Sequence, residues 1–237
     1  MKFKSELITV TLLLLMAFSV AADTELIQVS TTEPAELMGR KMPGRTDTSS
    51  VWFGEERMSM ESEQVRAIVR NDLGLFYILM PQHDMYVEFP LSMLNVLADS
   101  DSGSVEPTVS AVVTVTDSTK TLGPWKCRKY LVEMTMKMGM TSSQEIWATE
   151  DVDVDYQSLA TASMGMMASF PGYDELIQEW QKIKGLPVEI SQTVSMMGVN
   201  INSFNEVVSV TTKEAPAGIY EIPEGYTKVD QSQLSPH

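Results

Sequence analysis

The chain has 237 residues, of which 17 are basic and 32 are acidic, giving a formal net charge of −15. Phosphate binding requires a basic face, so this balance argues against nucleic acid as a partner. Cys127 is the single cysteine, which excludes an intramolecular disulfide, and the fold must rest on an apolar core. Since the chain has just two histidines to activate a thiol, we expect Cys127 to be buried and inert.

The first 22 residues have the pattern of a secretory signal peptide. Lys2 and Lys4 precede an apolar run over residues 7–20, and Val20-Ala21-Ala22 supplies the small residues of a cleavage site. The run is shorter than the roughly 20 apolar residues of a membrane-spanning helix. No cysteine lies directly after this run, where a lipid anchor would be attached, so lipidation is not predicted. We therefore predict a periplasmic or secreted protein whose mature chain does not span a membrane.

The leader is followed by residues 23–50, a polar stretch broken by proline and glycine that predicts a flexible lead-in. A single domain is predicted over residues 51–229, with a disordered tail at 230–237. Turn residues separate short β-rich runs, and His83 lies in one of these turns. The predicted strands are 51–60, 64–70, 75–80, 85–89, 109–116, 125–140, 143–149, 186–194, 199–212 and 218–222.

Residues 155–184 predict the helical part of the chain, in two pieces broken at Pro171-Gly172. Apolar residues of the second piece recur at helical spacing and are followed by Gly185 as a stop signal. They are Tyr173, Leu176, Ile177, Trp180 and Ile183. Many antiparallel strands with the helices gathered into one segment predict an α+β layer fold.

Four segments together resemble an exported bacterial family, domain of unknown function 4412. They are residues 123–130 (GPWKCRKY), 145–148 (EIWA), 184–187 (KGLP) and 217–226 (AGIYEIPEGY). The family is similar in architecture to the periplasmic lipoprotein carriers of the Lol type. This resemblance implies a strongly curved antiparallel half-barrel whose concave apolar face is covered by helices, with a cavity that holds acyl chains in the carriers. It supplies no catalytic residue.

Methionines form the one pattern that indicates a binding site. Four of them alternate from Met134 to Met140, which places them on one side of a strand. With residues on the same strand face and on the predicted helices, the expected ligand-binding wall is Tyr130, Val132, Met134, Met136, Met138, Met140, Met167 and Trp180. Such a row is consistent with an adaptable apolar cavity, with a Cu(I) site built from thioethers, or with plain core filling.

Another candidate site pattern, a calcium-binding loop, lacks residues that such a loop requires. The alternating aspartates of residues 151–155 resemble a calcium loop, but Tyr156 stands where the turn needs glycine and Ala162 where the bidentate glutamate belongs. We therefore predict no cofactor and no catalytic residue. The sequence favours a non-enzymatic binding protein for a hydrophobic or lipid-like ligand. The alternatives are a methionine-based copper protein and a protein-interaction module whose partner is unknown.

Overall fold

The computed structural model describes residues 22–37, 39–91, 109–136, 139–154, 156 and 173–230. These residues contain fourteen strands, one 3-10 turn at Pro81–His83 and one α-helix, α1, at Tyr173–Trp180. The strands are β1 Asp23–Thr32, β2 Ala35–Leu37, β3 Arg40–Met42, β4 Arg45–Gly54, β5 Arg57–Glu61, β6 Arg66–Arg70, β7 Leu75–Met80, β8 Met85–Pro90, β9 Val109–Leu122, β10 Trp125–Met136, β11 Met140–Thr149, β12 Leu186–Met196, β13 Val199–Lys213 and β14 Thr227–Lys228.

Twelve of these strands form one sheet in the order β14-β8-β7-β6-β5-β4-β1-β13-β12-β11-β10-β9, and β2 and β3 form a separate hairpin. Neighbouring strands of the large sheet are antiparallel, except that β14 runs parallel to β8. The order places β1 in the middle and β9 at an edge.

The predicted α+β class is wrong. Strands make up 66% of the described residues and helices 6%, so this part of the chain is a nearly all-sheet structure rather than a sheet covered by helices. The difference lies in residues 155–184, which were predicted to be helical and in which the structure describes one α-helix of eight residues, Tyr173–Trp180. The first predicted helical piece lies outside the described residues, apart from Tyr156.

The meander predicted from turn residues is present as β6, β7 and β8, but three other segments differ from their predictions. The run 51–60 is two strands, β4 and β5, joined by a turn in which Glu56 has a φ of 53°. The run 125–140 ends at Met136, and Met140 already belongs to β11. Residues 218–222 form turns, because Arg66 and Arg70 donate hydrogen bonds to backbone carbonyls there.

The stretch taken as a flexible lead-in contains β1, which pairs with β4 on one side and with β13 on the other. Its Leu26 is fully buried, opposite Val51 and Val210. The strand escaped prediction because its outer half is made of serine and threonine, with little apolar alternation. The leader residues 1–21 and the tail from residue 231 lie outside the described part.

Apolar side chains occupy both faces of the β4–β8 half of the sheet. One face carries the largest buried cluster, which extends through β1 and β12 to Cys127 on β10. The other face holds Trp52, Ile68 and Tyr77, and the C-terminal segment covers it with Tyr220. Burial raises the pKa of Tyr220. In the described segments, no helix has the length and apolar character needed to cross a bilayer.

Candidate functional site

The predicted methionine row begins as expected on β10. Tyr130, Val132, Met134 and Met136 are alternate residues of this strand, and we call them the methionine face. Tyr130 is 1% exposed and Val132 is fully buried, whereas Met134 and Met136 are only partly buried. The face therefore changes along the strand from a closed core to side chains that solvent reaches.

Helix α1 and the turn after it pack over this face. Leu176 is 2% exposed and contacts the part of β9 that contains Val109 and Ala111. Trp180 packs against the same cluster and also against the cluster of Tyr130 and Val132. The predicted neighbourhood of Trp180 and the methionine face is thus present.

The remaining predicted wall residues are placed differently. Met140 is not a continuation of the β10 row, because it begins β11 directly opposite Met136. Its side chain is partly buried. Met138 and Met167 lie outside the described residues. The described part of the wall is therefore a β10–β11 hairpin end beneath α1 rather than one long strand.

A single carboxylate ties α1 to the free edge of the sheet. Because β9 is the last strand, the backbone N–H of Val113 is available at the edge, and it donates to Glu179 Oε2 at 2.7 Å. The side chain of Lys182 donates to Glu179 Oε1. These hydrogen bonds, first that of Lys182 and then that of Val113, hold the pKa of Glu179 below its usual value. Glu179 thus fixes the helix over the methionine face.

Replacing Glu179 by alanine should loosen α1. We expect Glu179→Ala to lower the free energy of unfolding by about 1 kcal/mol, a modest loss because the carboxylate is partly solvated. Glu179 has a lowered folded-state pKa, so its contribution is present above the unfolded value of about 4.3 and is lost as pH falls through the folded value. Urea titrations at pH 7 and pH 3 measure the loss, which should shrink at the lower pH.

The control for this substitution is Glu175→Ala, since Glu175 is exposed on the same helix. A surface change of this kind should stay within about 0.5 kcal/mol. Equal losses for the two variants, or an undiminished Glu179→Ala loss at pH 3, would show that the carboxylate does not hold the helix.

A second feature lies beyond the Tyr130 end of the methionine face. It is a cleft of about 480 Å³ whose wall includes Lys126, Arg128 and Lys184, and we call it the cationic cleft. Tyr130 contributes to both features. Its ring is buried with Val132, and its hydroxyl accepts a hydrogen bond from the backbone N–H of Lys184 at 3.2 Å. The cleft and the methionine face are therefore adjacent.

Lysine and arginine side chains that form no ion pair with a described carboxylate are concentrated in this cleft. The described residues contain fourteen lysines and arginines, of which eight form ion pairs with Asp or Glu. Six remain without such a pair, and three of these six line the cleft. On a chain of net charge −15, such local grouping of unpaired cations is a distinctive feature.

Another concavity, of about 520 Å³, is lined by polar side chains from β1 and β11–β13. Its polar groups bond to one another: Thr193 contacts Asn202 at 3.0 Å, and Asn202 donates to Glu33 at 2.9 Å. Because their bonding capacity is used internally, these groups are less available to a ligand than those of the cationic cleft.

Strand positions next to the cleft are occupied by side chains that pair with one another. Trp147 donates to Glu145 at 2.9 Å, and Lys120 lies 4.2 Å from the centre of the Trp147 ring. A hydrogen bond from Lys129 lowers the pKa of Glu145. Cys127 is buried, as expected, and burial raises the pKa of its thiol. These lysines are therefore committed to the sheet.

Sequence reasoning found the methionine face through its period of two but missed the cationic cleft. Lys126 and Arg128 alternate on β10, whereas Lys184 comes from the turn before β12. Three of the four segments that carry the family resemblance meet in this cleft, through Arg128, Ala148 and Lys184. The shared location of these three segments becomes apparent only when the order of the strands in the sheet is known.

The solved structures that are similar to this chain include the following two. PNGF-II matches with a TM-score of 0.45 and 11% identity, over 90% of this chain and 32% of that one. A domain described as an outer membrane lipoprotein-sorting protein, from Vibrio parahaemolyticus, matches with a TM-score of 0.30 and 6% identity, over 82% of this chain and 86% of that one. Both scores are too low to define a shared fold.

No curated protein matches the chain. The model of one protein family, Domain of unknown function (DUF4412), matches residues 38–226. This range includes β4 to β13, the methionine face and the cationic cleft. It also includes all four segments on which the resemblance in the sequence was based. The predicted family is thereby confirmed, and the chain belongs to the DUF4412 family.

Proposed function

We propose that the protein is an exported, non-enzymatic binding protein that holds a hydrophobic or lipid-like ligand against the methionine face, in the periplasm or outside the cell. The observation that carries this proposal is the pairing of partly buried methionines with a short helix. Met134, Met136 and Trp180 all pack against the cluster formed by Val109 and Ala111 of β9 and Leu176 of α1. Unbranched, polarisable methionine side chains can repack around ligands of differing shape.

The geometry offers a route for the ligand between α1 and the edge strand β9. Side-chain packing and the Glu179 carboxylate hold the helix there, and among the described residues no strand pairs with the outer edge of β9. An acyl chain entering at this edge would replace the packing of Trp180 and the two methionines against Leu176 and β9. The buried pair Tyr130 and Val132 would form the floor of the site. The leader pattern supports export.

A fluorescent fatty acid tests the proposal with two double variants. Shortening both side chains in Met134→Ala/Met136→Ala should weaken binding about tenfold, because it removes apolar contact worth roughly 1.4 kcal/mol. Met134→Leu/Met136→Leu keeps the apolar volume and should bind within about threefold of the unchanged protein. Fluorescence titration gives the dissociation constants, and urea unfolding of each variant verifies that it is folded.

The matched control is Met42→Ala/Met60→Ala, which removes two methionines that are 39% and 40% exposed elsewhere in the chain. It should leave affinity unchanged. If the unchanged protein takes up no fatty acid, the proposal fails. Copper binding that the leucine pair abolishes would instead assign the methionines to a metal, since leucine lacks the thioether ligand.

A further inference from the structure

We propose that the cationic cleft binds a small molecule through an anionic group, a carboxylate or a phosphate. The site adjoins the methionine face and shares Tyr130 with it, and the inference stands whether or not a hydrophobic ligand is held on that face. Its recognition elements are Lys126, Arg128, Lys184 and the hydroxyl of Tyr130.

The charge balance of the cleft supports this assignment. Lys120 also lines it but is neutralised by Glu189 at 2.6 Å. Two carboxylates, Glu150 and Asp151, face the three remaining cations. Asp151 is already engaged, since its Oδ2 accepts a hydrogen bond from the backbone N–H of Lys126 at 2.8 Å. A hydrogen bond from a neutral backbone N–H leaves the charge of Asp151 in place, so the three cations exceed the two carboxylates by one positive charge on a strongly acidic protein.

The donors in the cleft are suited to an oxyanion. The guanidinium of Arg128 can present two parallel N–H groups to a carboxylate or phosphate, and lysine adds a compact positive charge. Tyr130 accepts from the backbone N–H of Lys184, so its own O–H proton is left to donate to a bound oxygen. Tyr130 as a residue is 1% exposed, and its packing in the core together with the bond from Lys184 fixes the direction of that hydroxyl.

The position of the cleft also relates it to the methionine face. Arg128 and Tyr130 are alternate residues of β10, so they lie roughly 7 Å apart on the same side of the strand. A ligand with an anionic head and an apolar tail could therefore place the head on Arg128 and the tail along Met134. A free anion would use the same donors without the tail.

Isothermal titration calorimetry with three probes distinguishes a free anion from a ligand that has both an anionic head and an apolar tail. The probes are inorganic phosphate, dodecyl phosphate below its critical micelle concentration, and 1-dodecanol. We expect both phosphates to bind, with affinity that falls as sodium chloride is raised. The variant Lys126→Gln/Arg128→Gln should weaken the binding of each phosphate at least tenfold. Both side chains are exposed and lack a carboxylate partner among the described residues, so the variant should remain folded.

The control Arg40→Gln/Lys41→Gln removes the same charge from two adjacent exposed residues of β3. It should leave phosphate binding within about twofold. If both double variants weakened phosphate binding equally, the proposed site would be wrong, because the net charge of the protein would then account for the binding. Dodecanol and dodecyl phosphate of equal affinity would also overturn it while leaving the proposed function intact. Phosphate that binds when dodecanol does not would support the cleft and count against the hydrophobic ligand.

Discussion

Gly185→Ala should destabilise the protein by about 3 kcal/mol or more, the largest effect we expect from a single methyl group. Gly185 has a φ of +79°, a conformation that residues with a Cβ adopt at a cost of roughly 1–2 kcal/mol. A Cβ there would also lie 2.0 Å from the carbonyl oxygen of Thr149. This second contact is with backbone, so a rotamer change cannot relieve it.

The control is Gly198→Ala, because Gly198 has the same φ of +79° but a Cβ there would meet nothing within 4 Å. We expect it to cost about 1 kcal/mol, the conformational part alone. Urea unfolding of both variants gives the comparison. Similar losses would mean that the backbone of Thr149 does not approach Gly185 as described, and the placement of Lys184 beside the cationic cleft would lose its basis.

Leu26→Ala should cost about 2–5 kcal/mol, the range for removing a buried leucine side chain. Leu26 is fully buried in the largest cluster, and its strand β1 joins the two halves of the sheet between β4 and β13. A flexible lead-in would make the same substitution almost neutral. Thermal or urea unfolding therefore distinguishes a central strand from a loosely attached segment.

Leu73→Ala provides the same chemical change at a turn position, where the side chain is 54% exposed. It should stay within about 0.5 kcal/mol of the unchanged protein. If Leu26→Ala is equally mild, β1 is not part of the core, and the order of strands given for the middle of the sheet is incorrect.

The parts of the fold that local chemistry specifies were predictable. Residues 71–74 contain asparagine, aspartate and glycine, and the turn they predict connects β6 and β7. The apolar spacing from Leu176 to Trp180 likewise predicted α1. In both cases the signal lies within a few neighbouring residues, so no tertiary information is needed.

Other elements depend on contacts that are distant in the sequence. Tyr220 and Ile222 have the spacing of two that a strand face shows, but Arg66 donates hydrogen bonds to the carbonyls of Gly218 and Ile219 and holds the segment as turns across the sheet. The cationic cleft is a similar case. Lys184 and Arg128 line the same cleft only because β12 pairs with β11, and β11 with β10. Neither arrangement has a local sequence signature.

The methionine face lies between these two cases. Period-two alternation correctly placed Met134 and Met136 on one side of a strand. It also predicted that the same strand continues to Met140, which is wrong because the chain turns at Gly139. Glycine at positive φ there allows β11 to fold back, so that Met140 stands opposite Met136. The alternation could not reveal a hairpin, because both flanks of the turn are rich in methionine.

Native mass spectrometry of the protein, expressed from its full sequence and purified without detergent or chelator, tests the central claim of a held hydrophobic ligand most directly. We expect an organic adduct that is lost on denaturation. Its amount should be reduced in Met134→Ala/Met136→Ala and retained in Met134→Leu/Met136→Leu. A bare polypeptide mass for the unchanged protein, obtained under conditions that preserve known lipid complexes, would contradict it.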